Sequence, residues 1–159
     1  MIDKINLTKY AINYLSKFSS SKSNLEKILK NKIRRLKIDK KDKYFLYKSL
    51  NEIIEKLEKN NFINDINYSN NKIRTFAFQG KSKIFVKNYF IQKGIKTNII
   101  DETLQNYELE NHEWEINSAR IFARKKRFTN TPETKEKNLS KFARAGFNYE
   151  ISIKILNEI

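Results

Sequence analysis

YAINYLSKFSSSKSNL, residues 10–25, combines an aromatic helical stripe, a run of serines and the start of a lysine-rich helix. The same order of features returns twice, at residues 68–84 and at residues 119–139. A short helical unit buries little surface by itself, and stacked copies share a core. The recurrence therefore predicts a helical repeat and argues against a single enzymatic pocket.

The spacing of apolar residues favours helices along the rest of the chain. In the first helix, apolar side chains recur every three or four residues from Leu7 to Phe18. Period-2 alternation occurs at residues 151–155, beside helical spacing, and we interpret that segment as helix as well. We predict nine short helices in an all-α fold of tandem three-helix units that form an elongated, curved array. The predicted units are residues 1–60, 61–108 and 109–159.

Polar and small residues mark the predicted ends of these helices. Serine and threonine accept hydrogen bonds from the free amides that open a helix, proline suits its first position, and glycine suits a left-handed C-terminal cap. We predict N-caps at Ser21, Thr97 and Thr131 (the last followed by Pro132), and left-handed caps at Gly94 and Gly146.

The aromatic residues invite an interpretation as stacking platforms for nucleic acid. Their helical spacing instead favours the core, where a tyrosine hydroxyl at the edge can find water or backbone partners. We predict buried positions for Tyr10, Tyr14, Phe18, Phe76, Phe85, Tyr89 and Phe122.

Composition argues against several classes of function. The chain has no cysteine, which excludes disulfides and thiolate chemistry, and His112 is its only histidine. Its carboxylate pairs are typical of solvated helix faces, and it has no glycine-rich phosphate loop. We predict no enzyme, no catalytic residue, no cofactor and no metal. The sequence shows no signal peptide and no membrane-length apolar stretch, so we expect a cytoplasmic protein.

The formal net charge of +15 favours a polyanionic partner. The alternative is compositional drift, because the chain is rich in Lys, Asn and Ile, a trio that AT-rich coding produces. The charge is unevenly distributed: +9 in residues 1–60, +1 in 61–113 and +5 in 114–159. Uniform drift does not predict such a pattern, and the distribution favours a functional role.

Five segments together resemble the RecX family, the bacterial regulators of the RecA recombinase. They occur in the family's order and span nearly the whole chain, although each motif alone is weak. The basic connector at residues 33–43 is longer than in compact members, and Asn64-Asp65 stands where the family often has two aspartates. The segments are SKSNLEKIL (21–29), NFINDINY (61–68), GKSKI (80–84), QKGI (92–95) and FARAGFNY (142–149).

The resemblance implies a non-catalytic protein that binds along the groove of a RecA filament on single-stranded DNA. Such proteins inhibit strand exchange and ATP hydrolysis, which links them to recombinational DNA repair and the SOS response. We expect a monomer with no membrane partner and weak direct contact with DNA. Basic side chains would bind acidic groove residues or phosphates; the predicted contacts are Arg34, Arg35, Arg74, Lys81, Lys83, Arg124, Lys126, Arg127 and Arg144.

Two other functions remain open. A stand-alone helix-turn-helix binder would place one helix in a DNA groove and would bind naked DNA tightly without RecA, with a steep salt dependence. A scaffold for an acidic protein would bind its partner without DNA.

Overall fold

The computed structural model describes residues 3–159, and this part of the chain is helical. It contains nine α-helices and no strand, which confirms the predicted all-α fold. None of the described helices combines the length and the apolar character that crossing a membrane requires. In chain order the helices are α1 (Lys4–Lys17), α2 (Lys22–Arg35), α3 (Lys40–Lys59), α4 (Asp65–Gln79), α5 (Lys83–Gln92), α6 (Thr97–Glu110), α7 (Trp114–Lys125), α8 (Pro132–Arg144) and α9 (Tyr149–Glu158).

Polar side chains satisfy free amides where several helices begin. Ser21 Oγ accepts from the amide three residues later at 3.2 Å, which confirms its predicted role as the cap of α2. Asp39 and Asn148 cap α3 and α9 with the same three-residue spacing. Each of these side-chain caps contributes about 1 kcal/mol to stability. Thr131 is the N-cap of α8, as predicted, and its backbone amide donates to Thr134 Oγ1 at 3.2 Å.

Four helices end in one hydrogen-bonded motif around a left-handed residue. The amide of that residue donates to the carbonyl three residues earlier, and the next amide donates five residues back, which is the Schellman pattern. The left-handed residues are Asn61, Gly80, Arg127 and Gly146, with φ of 58°, 81°, 53° and 92°. The predicted caps at Gly94 (φ 70°) and Gly146 are confirmed.

The chain divides into two compact units. The first extends to Tyr68 and also contains Lys93–Ile95, and the second comprises Ser69–Gln92 and Lys96–Ile159. This partition follows spatial contacts, whereas the three-way division at residues 1–60, 61–108 and 109–159 follows the sequence repeat. The three-way division stays a prediction.

The two units have cores of different chemistry. In the first, aliphatic side chains from α1, α2 and α3 pack together, and Leu25, Leu29 and Ile33 of α2 have no exposed surface. The second contains an aromatic cluster whose ring centroids lie 5.1–5.8 Å apart. Tilted and edge-on pairs of this kind add about 0.5–1.5 kcal/mol each beyond burial. The clustered rings are Phe122, Phe128, Phe142 and Phe147.

A serine at the start of α2 and another before α5 make equivalent long-range hydrogen bonds. Ser21 Oγ donates to the carbonyl of Lys93 at 2.6 Å, and Ser82 Oγ donates to that of Ala145 at 2.7 Å. Each acceptor is followed by a left-handed glycine. These bonds tie Ser21 and Ser82 to carbonyls that lie 72 and 63 positions further along the chain.

The lysine that follows each of these two serines also makes equivalent contacts in the two units. Its backbone amide donates to a carboxylate near the start of the next repeat, and its ammonium group pairs with a glutamate near the end of α3 or α6. The same roles thus recur in both units, as a helical repeat requires. The contacts are Lys22 N–Asp65 Oδ1 (2.8 Å), Lys22 Nζ–Glu58 Oε2 (2.5 Å), Lys83 N–Glu115 Oε1 (3.0 Å) and Lys83 Nζ–Glu108 Oε2 (2.7 Å).

Three local predictions are wrong. Phe18 is 55% exposed because it is the extended residue that ends α1, so the helical stripe stops before it. Phe85 is 37% exposed because only part of its ring packs against Phe76, at 5.3 Å between centroids. Thr97 is the first residue of α6 rather than its cap, and the N-cap Lys96 makes no side-chain hydrogen bond to the helix.

Candidate functional site

Helix ends in the second unit form a cleft with basic walls. Ser82 accepts from the Phe85 amide at 3.1 Å and donates to the Ala145 carbonyl, so it holds the start of α5 against the end of α8. Lys125 Nζ donates to the Gln79 carbonyl at 3.0 Å, which joins the ends of α7 and α4. We call the resulting space, of about 530 Å³, the basic cleft. Its lining residues are Gln79, Gly80, Lys81, Phe85, Phe122, Lys125, Lys126 and Ala145.

Two lysines of the basic cleft lie over aromatic rings. Lys81 Nζ is 4.6 Å from the centroid of Phe85, and Lys126 Nζ is 6.0 Å from that of Phe122. Each exposed cation–π contact contributes about 0.5–1 kcal/mol and limits where the ammonium group lies. The cleft therefore presents positive charge and an accessible aromatic ring side by side.

Arg144 lines a smaller adjoining cleft of about 220 Å³, which shares Phe85 and Ala145 with the basic cleft. The structure thus brings together Lys81, Lys126 and Arg144, which are separated by up to 63 positions in the sequence. None of the described residues lining either cleft is acidic. An anionic partner would meet no opposing carboxylate on these walls.

Arg124 and Arg127 lie elsewhere, in a cleft of about 410 Å³ between α7 and α9. The same cleft contains Arg120, whose Nε and Nη2 bind the two carboxylate oxygens of Glu158 at 2.7 and 2.8 Å. This pair raises the pKa of Arg120 and lowers the pKa of Glu158, since each charge stabilises the other. Within residues 3–159, neither Arg124 nor Arg127 has a carboxylate in ion-pair contact.

Lys83 is neutralised by its ion pair with Glu108 and lines a third cleft, which also contains Asp101. Glu115, the acceptor of the Lys83 amide, is partly buried, and this burial raises the pKa of its carboxyl group. The amide hydrogen bond and the Lys83 charge oppose that increase. Lys83 therefore has a structural contact that the other predicted cations lack.

The remaining predicted contacts lie outside these clefts. Arg34 and Arg35 are exposed in the last turn of α2, in the first compact unit. Arg74 is exposed on α4, in the second unit. Sequence reasoning missed Phe85 as a surface residue and did not single out Lys125 among the predicted contacts. The four consecutive cations at residues 124–127 were the available signal for Lys125.

No metal-binding group of three or more His, Asp or Glu side chains occurs in the described part of the chain. The candidate site consists of basic and aromatic groups at helix ends, which can bind anionic surfaces by charge and stacking.

Comparison with known proteins identifies relatives that carry one common name. The regulatory protein RecX of Myxococcus xanthus is 28% identical over 159 residues, which covers 95% of this chain and 84% of the relative. The regulatory protein RecX of Clostridium acetobutylicum is 30% identical over 153 residues, covering 92% and 70%. No protein-family model matches the chain.

Solved structures agree with these sequence relatives. The crystal structure of RecX from Lactobacillus salivarius superposes with a TM-score of 0.69 and 25% identity, covering 97% of this chain and 94% of that one. A second crystal structure, of a regulatory protein RecX, gives a TM-score of 0.69 at 20% identity, which supports the fold.

Proposed function

This chain belongs to the RecX family of regulatory proteins, and we propose that it binds the RecA filament on single-stranded DNA and lowers recombinase and ATPase activity. The observation that carries the proposal is the basic cleft with its adjoining cleft. Lys81 and Lys126 line the first cleft, Arg144 lines the second, and Phe85 belongs to both, with no acidic residue among the described lining residues. A nucleoprotein filament is anionic, and such a surface is complementary to it.

The geometry supports contact with more than one point of a filament. The first compact unit contributes exposed Arg34 and Arg35, and the second contributes the basic cleft together with Arg124 and Arg127. Individually, exposed charge contacts are worth about 0.2–1 kcal/mol. Several weak contacts on one chain gain from effective concentration when the target repeats the same groups at regular intervals.

Inhibition follows if binding favours one state of neighbouring RecA protomers. A ligand shifts a conformational equilibrium only by its difference in affinity for the two states. Within the second unit, the partly buried hydrogen bond from Ser82 to Ala145 holds the start of α5 against the end of α8. If this unit contacts adjacent protomers, it would oppose the motions that accompany ATP turnover.

A titration of RecA ATPase activity on single-stranded DNA tests the proposal. We expect inhibition as the protein approaches the concentration of its filament sites. Unchanged hydrolysis and strand exchange at a large excess of protein would contradict it. Gel shifts on naked duplex DNA, without RecA, serve as the comparison: tight, salt-sensitive binding there would favour the helix-turn-helix alternative.

A further inference from the structure

The first half of α3 exposes two aromatic rings between two lysines on one side of the helix. Lys41, Tyr44, Phe45 and Lys48 occur at intervals of three and four residues, which places them on a common face. Tyr44 is 56% exposed and Phe45 is 62% exposed. We call these four residues the aromatic–lysine face. Buried Leu46, Leu50 and Ile53 occupy the opposite side of the helix, as part of the core of the first unit.

Core packing and helix stability do not account for this face. Two large rings in water gain little from folding, because the hydrophobic effect rewards only surface removed from solvent. Lysine in the first turn of a helix also opposes the helix dipole, and Lys40 and Lys41 both lie there. The positions are therefore better explained by a partner than by the stability of the unit.

The charges on the face are available to an anion. Neither Lys41 nor Lys48 forms an ion pair within residues 3–159. Lys48 Nζ lies 4.7 Å from the centroid of the Tyr44 ring, so cation and ring are presented together. Asp42 lies between Lys41 and Tyr44 in the sequence but projects from another side of the helix. Glu52, one turn beyond Lys48, pairs with Lys4.

We propose that the aromatic–lysine face binds single-stranded nucleic acid directly, with bases stacked on Tyr44 and Phe45 and phosphates near Lys41 and Lys48. Exposed rings beside cations are the elements by which single strands are bound without sequence preference. Duplex bases are already stacked on one another and cannot use such rings. The two lysines are separated by about 10 Å along the helix, comparable to about three stacked nucleotides.

The proposal goes beyond filament binding, since this contact needs no RecA and lies in a different compact unit from the basic cleft. An anionic lipid surface is less favoured. The face contains no aliphatic side chain, and Tyr44 carries a polar hydroxyl at its tip. Interfacial helices instead bury a continuous apolar face.

Fluorescence anisotropy of a labelled oligothymidylate, measured with the full chain and no RecA, tests the proposal. We expect Tyr44→Ser/Phe45→Ser to weaken binding by about tenfold or more, because stacking is lost. On an oligonucleotide of the same length with abasic sites, the variant and the parent protein should bind alike. Lys41→Gln/Lys48→Gln should weaken binding to both strands and reduce the salt dependence.

Tyr149→Ser is the matched control, because Tyr149 is 69% exposed on α9 and should not change binding. Circular dichroism and thermal melting verify that each variant is folded, which the exposure of the substituted residues favours. Equal losses on thymidylate and abasic strands, or no loss on either, would overturn the proposal. So would a selective loss of binding to vesicles of phosphatidylcholine and phosphatidylglycerol with oligothymidylate binding intact.

Discussion

Arg127 is a charged residue in a backbone conformation that favours glycine. Its φ is 53°, and it occupies the left-handed position of the Schellman motif that ends α7. Gly80 and Gly146 hold the equivalent positions after α4 and α8. A left-handed residue with a β-carbon costs roughly 1–2 kcal/mol relative to its ordinary conformation. The strain at Arg127 points to a role for its side chain, which lies on the wall of the α7–α9 cleft.

Arg127→Gly should therefore stabilise the fold while weakening function. We expect the free energy of unfolding to rise by about 1 kcal/mol, because glycine adopts the left-handed conformation without the steric cost. Chemical denaturation measures this change. The same variant should inhibit RecA less well, since one cation of the α7–α9 cleft is lost. Arg127→Ala is the control for charge: it should lose inhibition to the same extent without gaining stability.

Asn61→Gly is the control for the backbone effect. Asn61 has φ of 58° in the same motif, and asparagine tolerates this region better than arginine does. Its replacement should give a smaller gain in stability and no loss of inhibition. A decrease in stability of Arg127→Gly would contradict the interpretation of strain.

Helix ends show which features of this fold can be predicted from sequence. Ser21 was predicted as a cap because the signal is local: a serine before an apolar, lysine-rich helix. Its second bond, to the Lys93 carbonyl, joins positions 72 apart and depends on tertiary packing. The prediction of Thr97 as a cap is wrong by one residue, because Thr97 is the first residue of α6. A propensity pattern does not distinguish a cap from the residue that follows it. Local chemistry thus specified most helix ends, while contacts between helices required the structure.

The same limit applies to the candidate site. Lys81 and Lys126 belong to predicted clusters of basic residues, and Arg144 is a predicted filament contact, but the packing of α5, α7 and α8 decides that their clefts adjoin and share Phe85. Lys83 belongs to the same kind of run as Lys81, yet Glu108, 25 positions away, neutralises it. No local pattern distinguishes these two lysines.

Removal of the Ser82 hydroxyl should weaken the second unit. Ser82→Ala loses both the cap at the start of α5 and the hydrogen bond to Ala145. We expect a loss of about 2 kcal/mol, the sum of a helix cap and one partly buried hydrogen bond. Ser152→Ala is the matched control, because Ser152 is also buried but its hydroxyl donates locally, to the carbonyl of Asn148, the N-cap of α9. Similar losses in the two variants, measured by chemical denaturation, would contradict a special role for Ser82.

At the scale of the whole molecule, the net charge of +15 has two possible origins, compositional drift and binding to an anionic partner. The positions of the cations distinguish between them. Compositional drift distributes lysine without regard to partners. Binding requires cations where a partner can reach several of them together. The structure satisfies the second condition at the basic cleft and the cleft beside it, where the lining residues are basic, aromatic or neutral.

Two triple variants of equal net charge test this difference. Lys81→Gln/Lys126→Gln/Arg144→Gln removes three cations from the two clefts, and Lys9→Gln/Lys56→Gln/Lys137→Gln removes three exposed lysines from α1, α3 and α8. Each changes the formal charge from +15 to +12. We expect the first variant to need about tenfold or more protein for half-maximal inhibition of RecA ATPase, since three contacts of about 0.5–1 kcal/mol are lost. The second should inhibit like the parent protein, because long-range attraction between exposed charges is screened at physiological salt. Equal losses in both variants would show that total charge, rather than its placement in the clefts, determines binding.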